Sequence, residues 1–512
     1  MILYSGFPAK KGLLFSILFC ISFLKGLKEL QTLNYKYKND EKKRYDFIIN
    51  TLFSTISECS SVFLYIFAIL VARTLGPEKY GVFVFALSFG TIYALFVRFG
   101  FFSYLSRELP LCKKQKGEYK FHAVIGSQLC LMLIATLIFL PICIILPKPS
   151  ADKNIILIVS VAMLFHAFKE SFRGVLRGMD HFHKDSLIVV NERLLIFSVA
   201  ILAYINSWCL FTIATGFLLV RMIDFIISII ITSRTVVLKI VLNAKVVKST
   251  VQTAWPFATM MILFMIYNYC DSIMISLMRT DKDVGFYNIA YQVFEGSQLF
   301  PSSVTGSLLP LLTIHYLNNI SYANHLLNFS IELMFYMSLP IALFFSIYAE
   351  DIIGFLYGTS YVPAVPALQL IIWSVPVFFL SVVVRCAFYA AKGERTYALI
   401  FGTSVVFNIV LNIPMIYYLN FIGACITTLL TELIVCVVLL INLKKLSYKY
   451  NLLRNMRNPL FVNILIFGFL YLARANNVHF LLAGFGFVLL YLMIMYFFKL
   501  ITIDDIRALR KI

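Results

Sequence analysis

Apolar residues run in stretches of about 20 along almost the whole chain, with short polar or charged segments between them. A helix rises about 1.5 Å per residue, so a stretch of about 20 crosses a hydrocarbon core of about 30 Å. On that length the pattern predicts fourteen membrane-spanning helices, at 46–72, 81–105, 121–147, 154–171, 186–206, 208–232, 254–279, 285–312, 326–348, 366–391, 397–418, 420–442, 458–474 and 478–498. The expected fold is an all-α polytopic membrane protein. Its domains are a basic N-terminal extension (1–44), a first lobe of six spans (45–232), a linker (233–253), a second lobe of six spans (254–442), and a C-terminal pair of spans with a tail (443–512).

Composition agrees with the pattern. Hydrophobic residues make up 61% of the chain and charged residues 13%, against about 25% charged in soluble domains. A net charge of +19 would suggest nucleic acid in a soluble protein, but here its placement explains it. Lys and Arg crowd one set of alternate connections, with five in 106–120 and five in 443–457, whereas 349–365 in the other set has none. That asymmetry is the positive-inside pattern for an even number of spans with both termini cytoplasmic in a cell (inner or plasma) membrane. The expected environment is membrane lipid, with no nucleic acid.

"GLLFSILFCISFL" (12–24) has the length of a signal-peptide core but no small-residue cleavage site after it. Residues 1–44 are read either as an interfacial helix with a basic lead-in or as dispensable sequence from an upstream start. The ten cysteines are scattered, with no CxxC pair and no His at ligand spacing, so they predict packing residues and no metal, cofactor or disulfide framework.

"ARTLGPEKYG" (72–81) joins the first two spans. Gly76 can take the backbone conformation that ends a helix, Pro77 suits the turn or first helical position after it, and Gly81 lets the second span start close to its neighbour. A shorter echo, "MRTDKDVG", ends at Gly285 between the seventh and eighth spans, 204 residues after Gly81. Arg173 in "FRGVLRGMDHF" (172–182), read as the fourth connection, and Arg385 in "VRCAFYAAKGERTY" (384–397) form a second pair, 212 apart. Two such offsets argue for an internal duplication with both copies in one orientation, a transporter plan that puts substrate between the halves. A plain hairpin at the water line is the structural alternative for each turn.

"LVARTLGPEKYGVFVFALS" (70–88) resembles the first hairpin of the Wzx-type oligosaccharide-lipid flippases, the polysaccharide transporter branch of the multidrug/oligosaccharidyl-lipid/polysaccharide superfamily. "DSIMISLMRTDKDVGFYNIAYQV" (271–293), "FLYGTSYVPAVPALQLI" (355–371), "AAKGERTYALIFGTSVVFNIVLNIPMI" (390–416) and "FIGACITTLLTE" (421–432) are similar to the same family in order and spacing. The resemblance runs from about Tyr45 to the twelfth span. It implies two six-helix lobes around a central cavity with two appended helices, and transport of a polyprenyl-pyrophosphate-linked oligosaccharide to the outer face by alternating access. Polysaccharide polymerase and glycosyltransferases become candidate partners.

Ionisable residues inside spans are costly and usually face a cavity or a partner. The parse places Glu58, Arg98, Glu192, Arg193, Arg221, Asp224, Asp271, Glu295, Glu332, Arg385 and Glu432 in spans, and none in the cores of the last two. Arginine suits a pyrophosphate because its planar fork stays charged and bonds two oxygens, so Arg98, Arg385, Arg193 and Arg221 are the headgroup candidates. Snorkelling to the cytoplasmic surface is the alternative for Arg98, Arg193 and Arg385, and mutual neutralisation for Arg221 and Asp224, three apart on one helix. Glu58, Asp271 and Glu295 are candidates for a gate or for a coupling H+ or Na+. Tyr267, Tyr269 and Tyr287 could stack on sugars or simply pack.

Two other classes compete. A cation-coupled multidrug exporter of the same superfamily would need carboxylates to dominate its cavity. A membrane-bound glycosyltransferase or polymerase would need a long water-side segment, and no connection here exceeds about 25 residues. The expectation is therefore a transporter and not an enzyme.

Overall fold

The computed structural model describes residues 39–112 and 114–497, and all regular structure among them is helical. The expectations for the segment at 12–24 and for the tail after 497 lie outside the described residues. The chain divides between Ile273 and Met274 into two compact units.

Unit 1 contains α1 (Asn39–Cys59), α2 (Val62–Arg98), α3 (Phe101–Glu108), α4 (Lys114–Ile145), α5 (Ser150–Gly178), α6 (Phe182–Ile205), α7 (Leu210–Ser233) and most of α8 (Ala244–Met278). Helix α5 is its centre, packed on α2, α3 and α7, and α6 closes against α1, α2 and α7. One core joins Phe99, Phe101, Leu105, Phe121, Phe172 and Val236 to Ala254 and Ala258. It brings the non-helical segment before α8 down onto α4, where His122 Nε2 lies 2.6 Å from the Val237 carbonyl.

Unit 2 contains the end of α8, α9 (Asp281–Ser297), α10 (Leu299–Asn318), α11 (Ile320–Ile347), α12 (Ala349–Tyr357), a 3-10 turn (Thr359–Ala364), α13 (Val365–Ile371), α14 (Ser374–Ala390), α15 (Glu394–Lys445), α16 (Leu452–Ala475) and α17 (Phe480–Phe497). Helix α14 packs on α10, α11 and α15. The last two helices dock on α11 through Val462, Ile466, Leu470 and Phe480 against Tyr336 and Tyr348. Asparagines finish the joint: Asn328 donates to the Lys449 carbonyl at 2.9 Å and accepts from the Asn451 N–H at 3.0 Å and from Asn455 at 2.7 Å. At the other end of α16, Arg474 pairs with Asp351 and Glu350.

Among the described residues nine helices are long and apolar enough to cross a membrane, or ten if the bent pair Thr359–Ile371 and Ser374–Ala390 counts as one. Two of these are too long for a single crossing and carry a backbone break. In the 60-residue run Ile49–Glu108, Gly76 has φ 73° and ψ 171°, a region essentially reserved for glycine, and Pro77 opens the next arm where its missing N–H costs nothing. In the 52 residues of α15, Asn420 breaks the helix at φ 55° and ψ −143°. A Cβ on Gly423 would lie 2.1 Å from the Met415 carbonyl oxygen, so the two arms meet at a distance only glycine allows.

Several expected boundaries are corrected. The span predicted at 154–171 continues to Gly178, so Arg173 and Arg177 are helical rather than part of a connection; ion pairs described below neutralise the charge that made them look like loop residues. The 46–72 span is divided at Ser60 and Ser61, the 81–105 span at Phe99 and Gly100, and the 285–312 span at Gln298. Helix α8 begins at Ala244, ten residues before the apolar pattern does.

Polarity is arranged for lipid. Leu133, Leu137, Ile138 and Ile144 on α4, Val406 and Val410 on α15, and Ile464 and Leu482 near the C-terminus are exposed, while Lys169, Glu170, Asp185 and Asp224 are buried. Apolar surface outside and charge inside is the inverse of a soluble protein and suits a bilayer.

Candidate functional site

The buried charges of unit 1 form two ion-paired groups, side by side along α5, with partners on α2, α6 and α7. Helix α5 supplies the axis: Glu170, Arg173 and Arg177 follow one another at three- and four-residue spacing and therefore share a face. Arg98, at the end of α2, donates to Glu170 at 2.8 Å. Arg173 donates to Glu170 at 2.6 Å and, with two of its nitrogens, to Asp185 at 2.6 and 3.4 Å. Arg177 donates to the same Asp185 at 2.5 Å. Phe102 lies under both guanidinium groups, 5.4 Å from each.

One turn back along α5 is a second group. Lys169 donates to Glu192 and lies 3.2 Å from Asp224. Arg221 pairs with Glu192 and donates to His166 Nδ1 at 2.7 Å. Because that nitrogen accepts from a guanidinium, His166 is the neutral tautomer with its proton on Nε2, and its 3.3 Å approach to Glu192 is not a hydrogen bond. Arg221 also stacks on Phe217, 4.8 Å away.

Together the two groups set five cations (Arg98, Lys169, Arg173, Arg177, Arg221) against four carboxylates (Glu170, Asp185, Glu192, Asp224), and the one positive charge in excess belongs to the first group. The guanidinium groups and the carboxylates differ in depth, while Lys169 is as buried as the carboxylates. The carboxylates are 1–7% exposed, whereas Arg98 and Arg177 are 24% and 26% exposed. Arg98 and His166 line a small cleft with Thr91, Leu95, Met163 and Met265 whose space, about 20 Å³, is on the scale of a water molecule and too small for a sugar. Within the described residues the Nε atoms of Arg98 and Arg221 are buried and make no hydrogen bond.

Of the four arginines singled out in the sequence, the structure brings Arg98 and Arg221 into these groups. Arg98 is ion-paired with Glu170, and Arg221 pairs across helices with Glu192 while remaining within electrostatic reach of Asp224, which itself takes Lys169. Arg193 faces another way, donating to the Ser57 carbonyl and to Ser60 Oγ, so it pins the break between α1 and α2, with Glu58 nearby and exposed. Arg385 belongs to unit 2, half-buried beside Tyr389 and Tyr397. Asp271 is buried next to the Cys270 thiol at 3.4 Å, and Glu295 is exposed on α9. Gly81 and Gly285 are buried near the starts of their helical arms, and the second hairpin opens on a capping box between Thr280 and Asp283 instead of a glycine. Tyr269 lies near Arg221, but Tyr287 is buried and stacked on Tyr291, 5.6 Å away, which makes it a packing residue.

The sequence reading passed over Lys169, Glu170, Arg173, Arg177 and Asp185 as site residues. A signal was present: adjacent charges at 169 and 170 inside an apolar run, followed by arginines at helical spacing. The expected connection at 172–185 hid Arg173, Arg177 and Asp185, whereas Lys169 and Glu170 lie at the end of the expected span 154–171.

The model of a family described as polysaccharide biosynthesis protein matches residues 48–314, and a second, MatE, matches residues 256–413. No curated protein matches the sequence. Among solved structures, the lipid II flippase MurJ in an inward closed conformation is 17% identical with a TM-score of 0.73, covering 88% of this chain and 99% of its own. An inward-facing multidrug resistance MATE family transporter of the MOP superfamily is 13% identical with a TM-score of 0.59, covering 78% and 99%. A MOP superfamily transporter from Pyrococcus furiosus, described as having a binding pocket of reversed polarity, is 12% identical with a TM-score of 0.51, covering 79% and 97%. At these identities the likeness is one of fold.

Proposed function

The chain belongs to the polysaccharide biosynthesis protein family of the MOP superfamily, a family of transporters and not of enzymes, and from that premise we propose that it carries a polyprenyl-pyrophosphate-linked oligosaccharide from the cytoplasmic to the outer face of the cell membrane. The observation that carries this reading is the depth order of the buried charges: carboxylates behind, guanidinium groups in front, one positive charge in excess. A pyrophosphate is the ligand such a surface attracts, since arginine offers it paired donors in a low dielectric. A MATE-type exporter of organic cations would need the opposite order.

In this reading the chain has fourteen spans, counting both arms at Gly76 and at Asn420, the bent pair α13 and α14, α9 together with α10, and α17, with both termini cytoplasmic. The first twelve spans form two lobes around a cavity, and rocking of the lobes exposes the headgroup to either side in turn while the prenyl tail stays in lipid. Arg98 and Arg177 make the first contacts with phosphate, Arg221 supports them from behind, and Arg385 is the candidate contribution of the second lobe. Glu58, Asp271 and Glu295 are candidates for a gate or a coupling ion. Polymerase and glycosyltransferases would act after and before the transport step.

The test is to measure polyprenyl-linked oligosaccharide on each face of the membrane in cells lacking the gene. It should accumulate on the cytoplasmic face, and wild type should clear it. Each hydrogen bond to a charged group contributes about 1.5–3 kcal/mol, so Arg98→Ala should slow clearance by about tenfold or more. Unchanged lipid-linked sugar together with new sensitivity to cationic drugs would replace this reading with the multidrug exporter.

A further inference from the structure

Lys169 is 1% exposed on α5, and its ammonium lies between carboxylates from two other helices, Glu192 of α6 and Asp224 of α7, the latter at 3.2 Å. The remaining groups of this inner cluster are Arg221, paired with Glu192, and His166, neutral because it accepts from Arg221. Two cations therefore face two carboxylates and the cluster is electroneutral. The Asp224 carboxylate accepts no hydrogen bond among the described residues, so charge, from Lys169 at 3.2 Å with Arg221 nearby, and not a donor network, is what compensates it. Two carboxylates from different helices around a compact point charge are the donor set of a monovalent cation site. Here the position of that cation is occupied by a side chain. Lysine suits the task where arginine does not, since its ammonium is a compact charge and not a planar fork.

We propose that Glu192 and Asp224 form a cation site whose ion is supplied permanently by Lys169, so that unit 1 neither binds nor exchanges a metal cation there, and that removing the ammonium converts the pair into a site for Na+ or a similar monovalent ion. A second cation cannot be added beside Lys169 without leaving an uncompensated positive charge in the protein interior, which is costly. The inference rests on the transporter reading only for its consequence, that this part of the protein is indifferent to a Na+ gradient. The pairing can be tested without any substrate.

The experiment is the thermal midpoint of the purified full chain in nanodiscs, with NaCl exchanged for choline chloride at constant ionic strength. Wild type is expected not to respond. Lys169→Ala should melt lower in choline and rise saturably with Na+, by about 2 °C or more. Lys169→Ala with Asp224→Asn, in which charge and countercharge are both removed, should be Na+-insensitive and more stable in choline than the single variant. A saturable Na+ response of wild type would overturn the proposal, as would a folded Lys169→Ala that ignores Na+. Should Lys169→Ala fail to fold, a double variant that folds no better also overturns it, because charge balance would then not be what Lys169 provides. Since no lipid-linked sugar enters the measurement, failure of the flippase reading leaves its outcome interpretable.

Discussion

Two glycines separate what the backbone needs from what the packing needs. At Gly76 a Cβ would meet nothing within 4 Å, so only its φ of 73° and ψ of 171° resist a side chain. At Gly100, φ is 68° and a Cβ would also lie 2.7 Å from Ala258 N and from the Phe257 carbonyl carbon. Gly76→Ala should therefore cost about 1–3 kcal/mol from backbone strain alone, and Gly100→Ala should cost more because α8 must move. Thermal midpoints in nanodiscs check the order; equal losses would mean that the contact with α8 is soft. Arg173 makes a sharper case among the charges, because it bridges Glu170 and Asp185. Deleting it leaves Glu170 with Arg98 and Asp185 with Arg177 but removes three charge-assisted hydrogen bonds to two buried carboxylates, so Arg173→Met should lower folded yield more than Arg98→Ala. Arg98→Ala, which leaves Glu170 still paired with Arg173, should be tolerated in yield while reducing transport. Quantifying folded protein and transport for both variants tests that division between support and contact.

At the scale of elements, the attachment of the last two helices depends on a few amides at one end and an ion pair at the other. Asn328 accepts from the Asn451 N–H and the Asn455 side chain and donates to the Lys449 carbonyl, so it holds the segment between α15 and α16 against α11. Asn328→Ala removes all three bonds and should expose that segment to trypsin at Lys444, Lys445 and Lys449. Limited proteolysis should show faster cleavage there with unit 1 unaffected, and an unchanged digestion pattern would mean that the apolar contact of Val462, Ile466 and Leu470 suffices. The same scale explains why several expected boundaries shifted. Hydropathy reports where residues favour lipid, and helices here extend past that wherever a partner neutralises their polar residues. Helix α5 runs on through Arg173 and Arg177 because Glu170 and Asp185 meet them.

For the whole molecule, the distribution of Lys and Arg makes a topological prediction independent of any substrate. Lys79, Lys282 and Lys392 are exposed, the first two in connections of the sparse set and the third in the basic set. In a cysteine-free background, Lys79→Cys and Lys282→Cys should react with a membrane-impermeant maleimide on intact cells, and Lys392→Cys only after permeabilisation. Labelling of Lys79→Cys and Lys282→Cys from opposite sides would refute the parallel arrangement of the two copies.

The amino-acid sequence alone determined that this chain lives in a membrane, roughly where most of its helices run, and that its motifs belong with the polysaccharide transporters. These properties are local or additive, since hydropathy sums over about 20 residues and a turn such as Gly76-Pro77 is encoded by the residues that make it. Only the tertiary structure decided which charges face one another. Arg98, Arg193 and Arg221 look equivalent as arginines in apolar runs. Yet Arg98 meets Glu170 72 residues away, Arg193 pins a helix break 133 residues away, and Arg221 stacks on Phe217 and shares Glu192 with Lys169. A pairing of that kind depends on how helices rotate and pack against each other, and in an apolar medium the cost of an uncompensated charge makes that packing choose its partners across the sequence.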